Sequence, residues 1–167
     1  MTAQRQERNE IRLPLALVWI AALVLAAAPL PRLLAATTER VVVDRYTGLA
    51  IDGFDPVAYF TDHEARMGDA DYEVASGGAI WRFCNPSNMA AFVANPEIYG
   101  PQFGGYDPVG IARGVPVAGN PLVWVVSGQR LFLFGRAKSR DAFAADPERY
   151  LKPARLQWPA VQETLAD

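Results

Sequence analysis

The chain has 167 residues, of which 16 are lysine or arginine and 18 are aspartate or glutamate, giving a formal charge of −2 at pH 7. This balance excludes the strongly basic surface on which non-specific nucleic-acid binding depends. The single cysteine, Cys84, excludes an intrachain disulfide and any metal site built from several thiolates of one chain.

An uncharged apolar segment, Leu13–Leu30, follows three arginines within the first 12 residues. Its length lies between that of a signal-peptide core and that of a membrane-spanning helix. The small residues Ala26–Ala28 suit cleavage but Pro29 does not, so the pattern favours an uncleaved anchor over a removed signal. We therefore predict that residues 1–39 are a signal or membrane anchor with a linker. The exported remainder would face the periplasm from the inner membrane, or be periplasmic if the segment is cleaved.

The exported part contains an internal duplication. Trp81–Tyr99 shares its pattern of aromatic, proline and glutamate residues with Phe132–Tyr150 at a constant spacing of 51 residues. Upstream, the tripeptide Asp55–Val57 recurs as Asp107–Val109 at a spacing of 52. A repeat of this kind indicates two copies of one structural unit, with a one-residue length difference between the two landmarks.

The sequence of each copy is typical of a hairpin followed by a helix. Apolar runs at Tyr72–Ala75 and Leu122–Val126 each lead through a Ser-Gly turn into a second short strand. After the first hairpin, Asn85 can cap a helix whose first position is Pro86. The helix face predicted to lie on the hairpin contains Met89, Phe92 and Val93.

These elements predict an α+β fold with a single domain at residues 40–167. Two tandem strand–strand–helix units, at about residues 55–99 and 107–151, would share one small sheet and be preceded by the N-terminal apolar helix. The tail from Lys152 would add a last short helix that closes the core through Leu156, Trp158, Val161 and Leu165.

The duplication places two carboxylates, Asp55 and Asp107, in equivalent turns, with Tyr59 and Tyr106 close by in sequence. If the turns converge, these four residues form a ligand-binding site. A structural role competes with this one, because an aspartate directly before proline commonly accepts hydrogen bonds from its own turn. We favour the structural role for the aspartates, and in the same way we favour ordinary core packing for the two tyrosines over lining a cleft.

Two stretches, IDGFDPVAYF at Ile51–Phe60 and WRFCNPSNMAAFVANPEIYGPQFGGY at Trp81–Tyr106, together resemble the YHS domain family. The resemblance covers one full unit, and the second copy is similar to a degenerate unit of the same type. The whole arrangement is similar to that of small exported bacterial YHS proteins.

The resemblance also implies where a metal would bind. In metal-linked YHS and related modules, cysteines follow the D-P-V motif and stand at both ends of an F-C-x-x-x-C turn. The corresponding positions here are Ala58, Cys84 and Asn88 in the first copy and Gly110, Gly135 and Ser139 in the second. Only one of them is a cysteine, and the one histidine, His63, lies in a polar loop, so we expect no metal and no other cofactor. Cys84 stays a weak metal candidate and is better explained as a small buried apolar residue.

Three functions are compatible with these features. The favoured one is a non-catalytic exported YHS protein of the cell envelope that binds a small ligand or a partner protein, contacts the membrane through its N-terminal segment and binds no nucleic acid. The first alternative is a sensor or carrier of a copper-like soft metal that uses Cys84. The second is an enzyme that uses Asp55 and Asp107, which requires both carboxylates in one solvent-reachable cleft.

Overall fold

The structure, a computed structural model, describes residues 40–165. Within this range the chain forms an α+β fold with two small two-stranded antiparallel sheets and six α-helices, so the predicted fold class is confirmed. The predicted anchor, linker and N-terminal apolar helix fall in residues 1–39 and lie outside the described part. None of the helices within residues 40–165 is both long enough and apolar enough to cross a membrane.

The secondary structure elements occur in the same order in the two halves. The strands are β1 (Asp69–Ser76), β2 (Ala79–Phe83), β3 (Asn120–Ser127) and β4 (Arg130–Phe134). The helices are α1 (Ala58–Thr61), α2 (Pro86–Ala94), α3 (Pro96–Tyr99), α4 (Pro108–Ile111), α5 (Ala137–Ala145) and α6 (Pro147–Thr164). Short 3₁₀ turns at Ile51–Gly53 and Gln102–Gly105 precede α1 and α4.

The two hairpins have the same register. All five residue pairs that join β1 to β2 recur between β3 and β4 at a spacing of 51, including the irregularity after the first pair. Both central residues of each turn have positive φ angles, which gives the backbone twist that a two-residue hairpin turn needs. Glycine adopts this conformation readily at Gly77, Gly78 and Gly128, and Gln129 adopts it with φ 57°.

The prediction that the two units share one sheet is wrong. The backbone N–H of Ala50 donates to the carbonyl oxygen of Ile80 at 2.8 Å, and the N–H of Ile80 donates to that of Gly48 at 3.0 Å. The segment before α1 therefore occupies the outer edge of β2, so no strand of the other hairpin can pair there. The hairpins form two separate sheets, and their side chains meet in one apolar cluster.

Strand β4 is the part of the core that the two halves have in common. Leu131 and Leu133 pack with the first half of the chain, whereas Phe132 and Phe134 pack with the second half. Successive side chains of a strand point to opposite faces, so burial of both faces requires a continuous apolar run. Arg82, which takes the position of Leu133 in the first hairpin, is only partly buried and forms an ion pair with Glu73 across β1 and β2.

Helix α2 begins as predicted. The side chain of Asn85 accepts a hydrogen bond from the backbone N–H of Asn88 at 2.9 Å, and Pro86 is the first helical residue. Phe92 is buried against the hairpin, but the prediction for Val93 is wrong, since 58% of this residue is exposed. Adjacent helical residues point about 100° apart, which turns Val93 away from the hairpin that Phe92 contacts.

The last helix, α6, is longer than predicted. It runs over 18 residues through Pro153 and Pro159, and its apolar side packs with Tyr106 and Ile111. Of the four residues predicted to close the core, Leu156 is 75% exposed, so that part of the prediction is wrong. The residues that do pack against this cluster are Trp158, Val161 and Leu165.

Candidate functional site

A left-handed turn precedes each candidate aspartate. Residues Ile51–Gly53 have φ angles of 44°, 55° and 81°, and residues Phe103–Gly105 have φ angles of 53°, 61° and 89°. A Cβ atom at Gly104 would overlap the carbonyl oxygen of Arg40, so only glycine fits there. The two turns therefore have similar backbone conformations. Each one is followed by an aspartate, Asp55 or Asp107, whose side chain is buried in the protein interior.

Asp55 is fully buried and accepts hydrogen bonds on both carboxylate oxygens. Oδ1 accepts from the backbone N–H of Val57 at 2.8 Å, within its own turn. Oδ2 accepts from the backbone N–H of Cys84 at 2.8 Å and from the side-chain amide of Asn88 at 2.7 Å. This one carboxylate therefore joins the start of α1 to the end of β2 and the first turn of α2.

Asp107 makes the equivalent connection in the second half, where it is 2% exposed. Oδ1 accepts from the backbone N–H of Val109 at 2.8 Å, and Oδ2 accepts from the backbone N–H of Gly135 at 3.1 Å. The residue that matches Asn88 is Ser139, which is also buried. Asp107 thus joins the start of α4 to the end of β4.

The predicted structural role of the two aspartates is confirmed, because each caps its own turn as the D-P sequence indicates. Both carboxylates are directed into the protein, where N–H donors surround them, and neither opens onto a surface cleft. Hydrogen bonds of this kind stabilise an ionised carboxylate in a buried position. The geometry assigns the pair to holding the fold together.

Tyr59 lies in the core between the two halves. Its hydroxyl donates to the carbonyl oxygen of Pro121 at 2.9 Å, and its ring meets that of Trp124 edge to face with centroids 5.1 Å apart. Burial raises the pKa of the Tyr59 hydroxyl, and the negative charges of Asp55 and Asp52 raise it further. The hydroxyl is therefore neutral at every physiological pH, and its role is to donate this hydrogen bond.

Tyr106 belongs to a different apolar cluster. It is 6% exposed and packs near Trp158, with ring centroids 6.0 Å apart, beside Ile111 and Val161. Tyr59 packs instead with the cluster of the first half. The four candidate ligand-binding residues are thus all buried, and the two tyrosines lie in separate clusters. Ligand binding by these residues stays a prediction that would require the interior to open.

Cys84 follows the last residue of β2 and is partly buried. Its thiol donates to the carbonyl oxygen of Met67 at 3.4 Å. Burial raises the pKa of the thiol to about 11, the charge and hydrogen bonding of Asp55 add to the increase, and the positive charge of Arg66 opposes it. The thiol is therefore protonated near neutral pH, which disfavours both metal ligation and nucleophilic attack.

Metal-ligating side chains do not gather around Cys84. Among residues 40–165, no group of three or more histidine, cysteine, aspartate or glutamate side chains is placed to hold a metal ion. His63 is exposed in the loop after α1 and has a φ angle of 56°. Asn88, at one of the predicted metal positions, donates its side-chain amide to Asp55.

Sequence reasoning missed the role of Asn88. The residue is 33 positions from Asp55, and nothing local in the sequence connects the two. The resemblance to the YHS family could have indicated this role, because Ala58, Cys84 and Asn88 correspond to the three cysteine positions of one metal-linked module and are therefore expected to lie close together. In the structure these three residues each donate a hydrogen bond to Asp55, at 3.4, 2.8 and 2.7 Å.

Comparisons with protein-family models, with curated proteins and with solved structures found no match. The functional interpretation therefore depends on the residues and their geometry.

Proposed function

We propose that the protein is a non-catalytic, exported YHS-type protein of the cell envelope that acts by binding a partner protein or a small ligand. The observation that carries the proposal is the arrangement around Asp55. At the positions where a metal-linked relative would have cysteines, this chain has residues that donate hydrogen bonds to one buried carboxylate. Two of these donors are backbone N–H groups, and the third is the side-chain amide of Asn88, which stands where a metal-linked relative would have a thiolate. The arrangement supports a structural connection at these positions over a metal site.

The same arrangement supports the relationship to the YHS family. The three positions that the resemblance treats as one set come from the turn after Asp55 and from the segment at Cys84–Asn88, and all three donate to the Asp55 carboxylate. The matching registers of the two hairpins and the matching Asp55 and Asp107 turns support two tandem units at about residues 55–99 and 107–151. The second unit has no cysteine at any of its three corresponding positions, which is consistent with a degenerate copy.

The burial of Asp55 and Asp107 and the protonation of Cys84 support a non-catalytic role. A two-carboxylate mechanism needs both carboxylates in contact with a substrate and with water. Asp55 and Asp107 are instead 0% and 2% exposed, and both oxygens of each accept internal hydrogen bonds. Cys84 holds its proton near neutral pH, so it offers no thiolate for covalent catalysis.

The envelope location is proposed from the sequence of Leu13–Leu30, since an uncharged stretch of this length behind arginines directs export. Protease treatment of intact and lysed spheroplasts tests it directly. We expect an epitope after residue 167 to be cleaved in intact spheroplasts, and cleavage only after lysis would contradict export. Amino-terminal sequencing of the recovered protein then separates an anchor from a removed signal.

The binding role is tested on the full chain, purified without chelator and examined by native mass spectrometry with elemental analysis. We expect a metal-free protein, with Cys84→Ala indistinguishable from it. A stoichiometric metal that is lost in Cys84→Ala would replace our proposal with the metal carrier.

A second measurement separates binding from catalysis. The full chain is incubated with pooled small solutes from the envelope, and bound and free compounds are identified by mass over time. We expect any bound compound to be recovered chemically unchanged. Conversion of a compound to a new mass, abolished in Asp55→Asn, would show that the protein is an enzyme.

A further inference from the structure

The first strands of the two duplicated hairpins, β1 and β3, each have an outer edge without a backbone partner among residues 40–165, and the two edges differ in charge. β1 pairs only with β2, and β3 pairs only with β4, within the described residues. No backbone hydrogen bond from the rest of residues 40–165 reaches either outer edge. Both edges therefore present free backbone N–H and C=O groups, to which another strand can add.

The edge of β1 is protected by acidic side chains. Asp69, Asp71 and Glu73 lie along this strand, and all three are exposed. Charged residues on an edge strand are a common means of preventing association with another strand. Two copies of β1 placed side by side would bring these carboxylates together, so this edge disfavours self-association.

The edge of β3 has lost every one of these charges. At the spacing of 51 that defines the duplication, the three acids become Asn120, Leu122 and Trp124. No charged residue occurs from Gly114 to Gln129. Leu122 is 63% exposed beside the unpaired edge, although its counterpart in the first copy is an aspartate.

Internal hydrogen bonds define which part of β3 is free. The carbonyl oxygen of Pro121 accepts from Tyr59, and the N–H of Leu122 donates to the side chain of Asn120 at 2.8 Å. Proline has no N–H to offer a neighbouring strand, which further limits pairing at the start of β3. The part of the outer edge left for pairing is Val123–Ser127, where alternate residues direct their backbone N–H and C=O groups away from β4. The side chain of Leu122 lies at the end of this segment.

We propose that the outer edge of β3 is a self-association surface, where β3 pairs antiparallel with β3 of a second copy of this chain. The two hairpins then form one four-stranded sheet in the order β4-β3-β3-β4, about a two-fold axis that makes the contact self-complementary. A second copy fits this edge because a neutral, apolar strand meets an identical one without like-charge repulsion or buried charge. This inference does not depend on the proposed function.

The test is sedimentation equilibrium of the full chain in a neutral detergent, with protein concentration varied. We expect a reversible monomer–dimer equilibrium. Leu122→Asp, which restores the acid of the first copy, should weaken the dimer by about tenfold, and Leu122→Asp with Asn120→Asp should weaken it further. Leu156→Asp is the matched control, because Leu156 is an even more exposed leucine on a different element, and it should leave the equilibrium unchanged.

A second measurement needs no substitution. Hydrogen exchange of the wild-type chain, compared at low and high concentration, should show slower exchange of the Val123–Ser127 amides at high concentration. A wild-type chain that stays monomeric would overturn the proposal, even if a different protein proved to bind β3. So would a dimer whose dissociation constant is the same in Leu122→Asp and whose Val123–Ser127 amides exchange equally fast at both concentrations, since that dimer would use another surface.

Discussion

The side-chain amide of Asn88 donates a hydrogen bond of 2.7 Å to the carboxylate of Asp55, although 33 residues separate the two in sequence. The same oxygen also accepts from the backbone of Cys84. Asp55 therefore fixes three segments relative to one another: the turn before α1, the end of β2 and the start of α2. Asp107 joins two segments, because its carboxylate accepts hydrogen bonds from Val109 in its own turn and from Gly135 after β4.

This difference predicts unequal costs for removing the two carboxylates. Asp55→Ala leaves three close N–H donors without an acceptor, and each such buried group costs about 1–3 kcal/mol. We expect Asp55→Ala to lower the free energy of unfolding by at least about 3 kcal/mol and Asp107→Ala to lower it by about 2 kcal/mol. Urea unfolding measures both, with the exposed Asp71→Ala as a control that should change stability by less than about 0.5 kcal/mol. Equal, small effects at Asp55 and Asp107 would contradict the connecting role.

Two glycines with the same φ angle provide a test of the left-handed turns. Gly77 and Gly104 both have φ 61°, but a Cβ at Gly77 meets nothing within 4 Å, whereas one at Gly104 overlaps the backbone of Arg40. We expect Gly77→Ala to cost about 1 kcal/mol, the usual cost of alanine at positive φ. Gly104→Ala should cost clearly more, because it must also displace the segment at Arg40. Thermal unfolding of the two variants decides the point, and similar melting temperatures would count against the close approach.

The raised pKa of Cys84 predicts that its thiol reacts slowly with alkylating reagents. The pKa of about 11 leaves very little thiolate at neutral pH, so alkylation by iodoacetamide should be at least about tenfold slower than for an unstructured peptide thiol. The rate should keep increasing with pH towards 11, rather than reaching a plateau near the ordinary thiol pKa of 9.0. Asp55→Asn removes the negative charge beside the thiol and should therefore lower the pKa and speed the reaction. A fast reaction at pH 7 in the folded wild-type chain would show that the thiol is activated instead.

The same shift has a consequence for stability. The folded chain retains the Cys84 proton more tightly than the unfolded chain, whose thiol has the ordinary pKa near 9.0. The stabilisation is thus complete below about pH 9 and is lost as the pH rises towards 11. Denaturant unfolding between pH 8 and pH 11 should show a smaller decrease in stability for Cys84→Ala than for the wild type. An unchanged pH dependence would argue against a raised pKa.

The hydroxyl of Tyr59 connects the two halves through the carbonyl oxygen of Pro121. Tyr59→Phe removes this hydrogen bond and keeps the ring, so we expect a loss of about 1 kcal/mol in the free energy of unfolding. Tyr72→Phe is the matched control, because Tyr72 is only partly buried on β1 and should tolerate the change. If both variants were equally stable, the Tyr59 hydroxyl would have no net effect.

Local sequence signals predicted the hairpins, the helix cap at Asn85 and the turn-capping aspartates. Each depends on neighbouring residues, and glycine, proline and asparagine determine them through backbone geometry. The separate sheets were not predictable in this way, because strand pairing depends on distant segments, such as Gly48–Ala50, which pairs with Ile80 about 30 residues later. The burial of Asp55 was likewise inaccessible, since its donors come from the ends of two other elements. Tertiary contacts decided both outcomes.

The position of β4 makes the packing of the first half depend on the second. Leu131 and Leu133 complete the apolar cluster of the first half, yet they follow β2 by about 50 residues in sequence. Without these two leucines, Tyr59, Trp81 and their neighbours lack part of their packing. A chain truncated before β4 would therefore expose apolar surface that the full chain buries, and it would be more prone to aggregation and proteolysis.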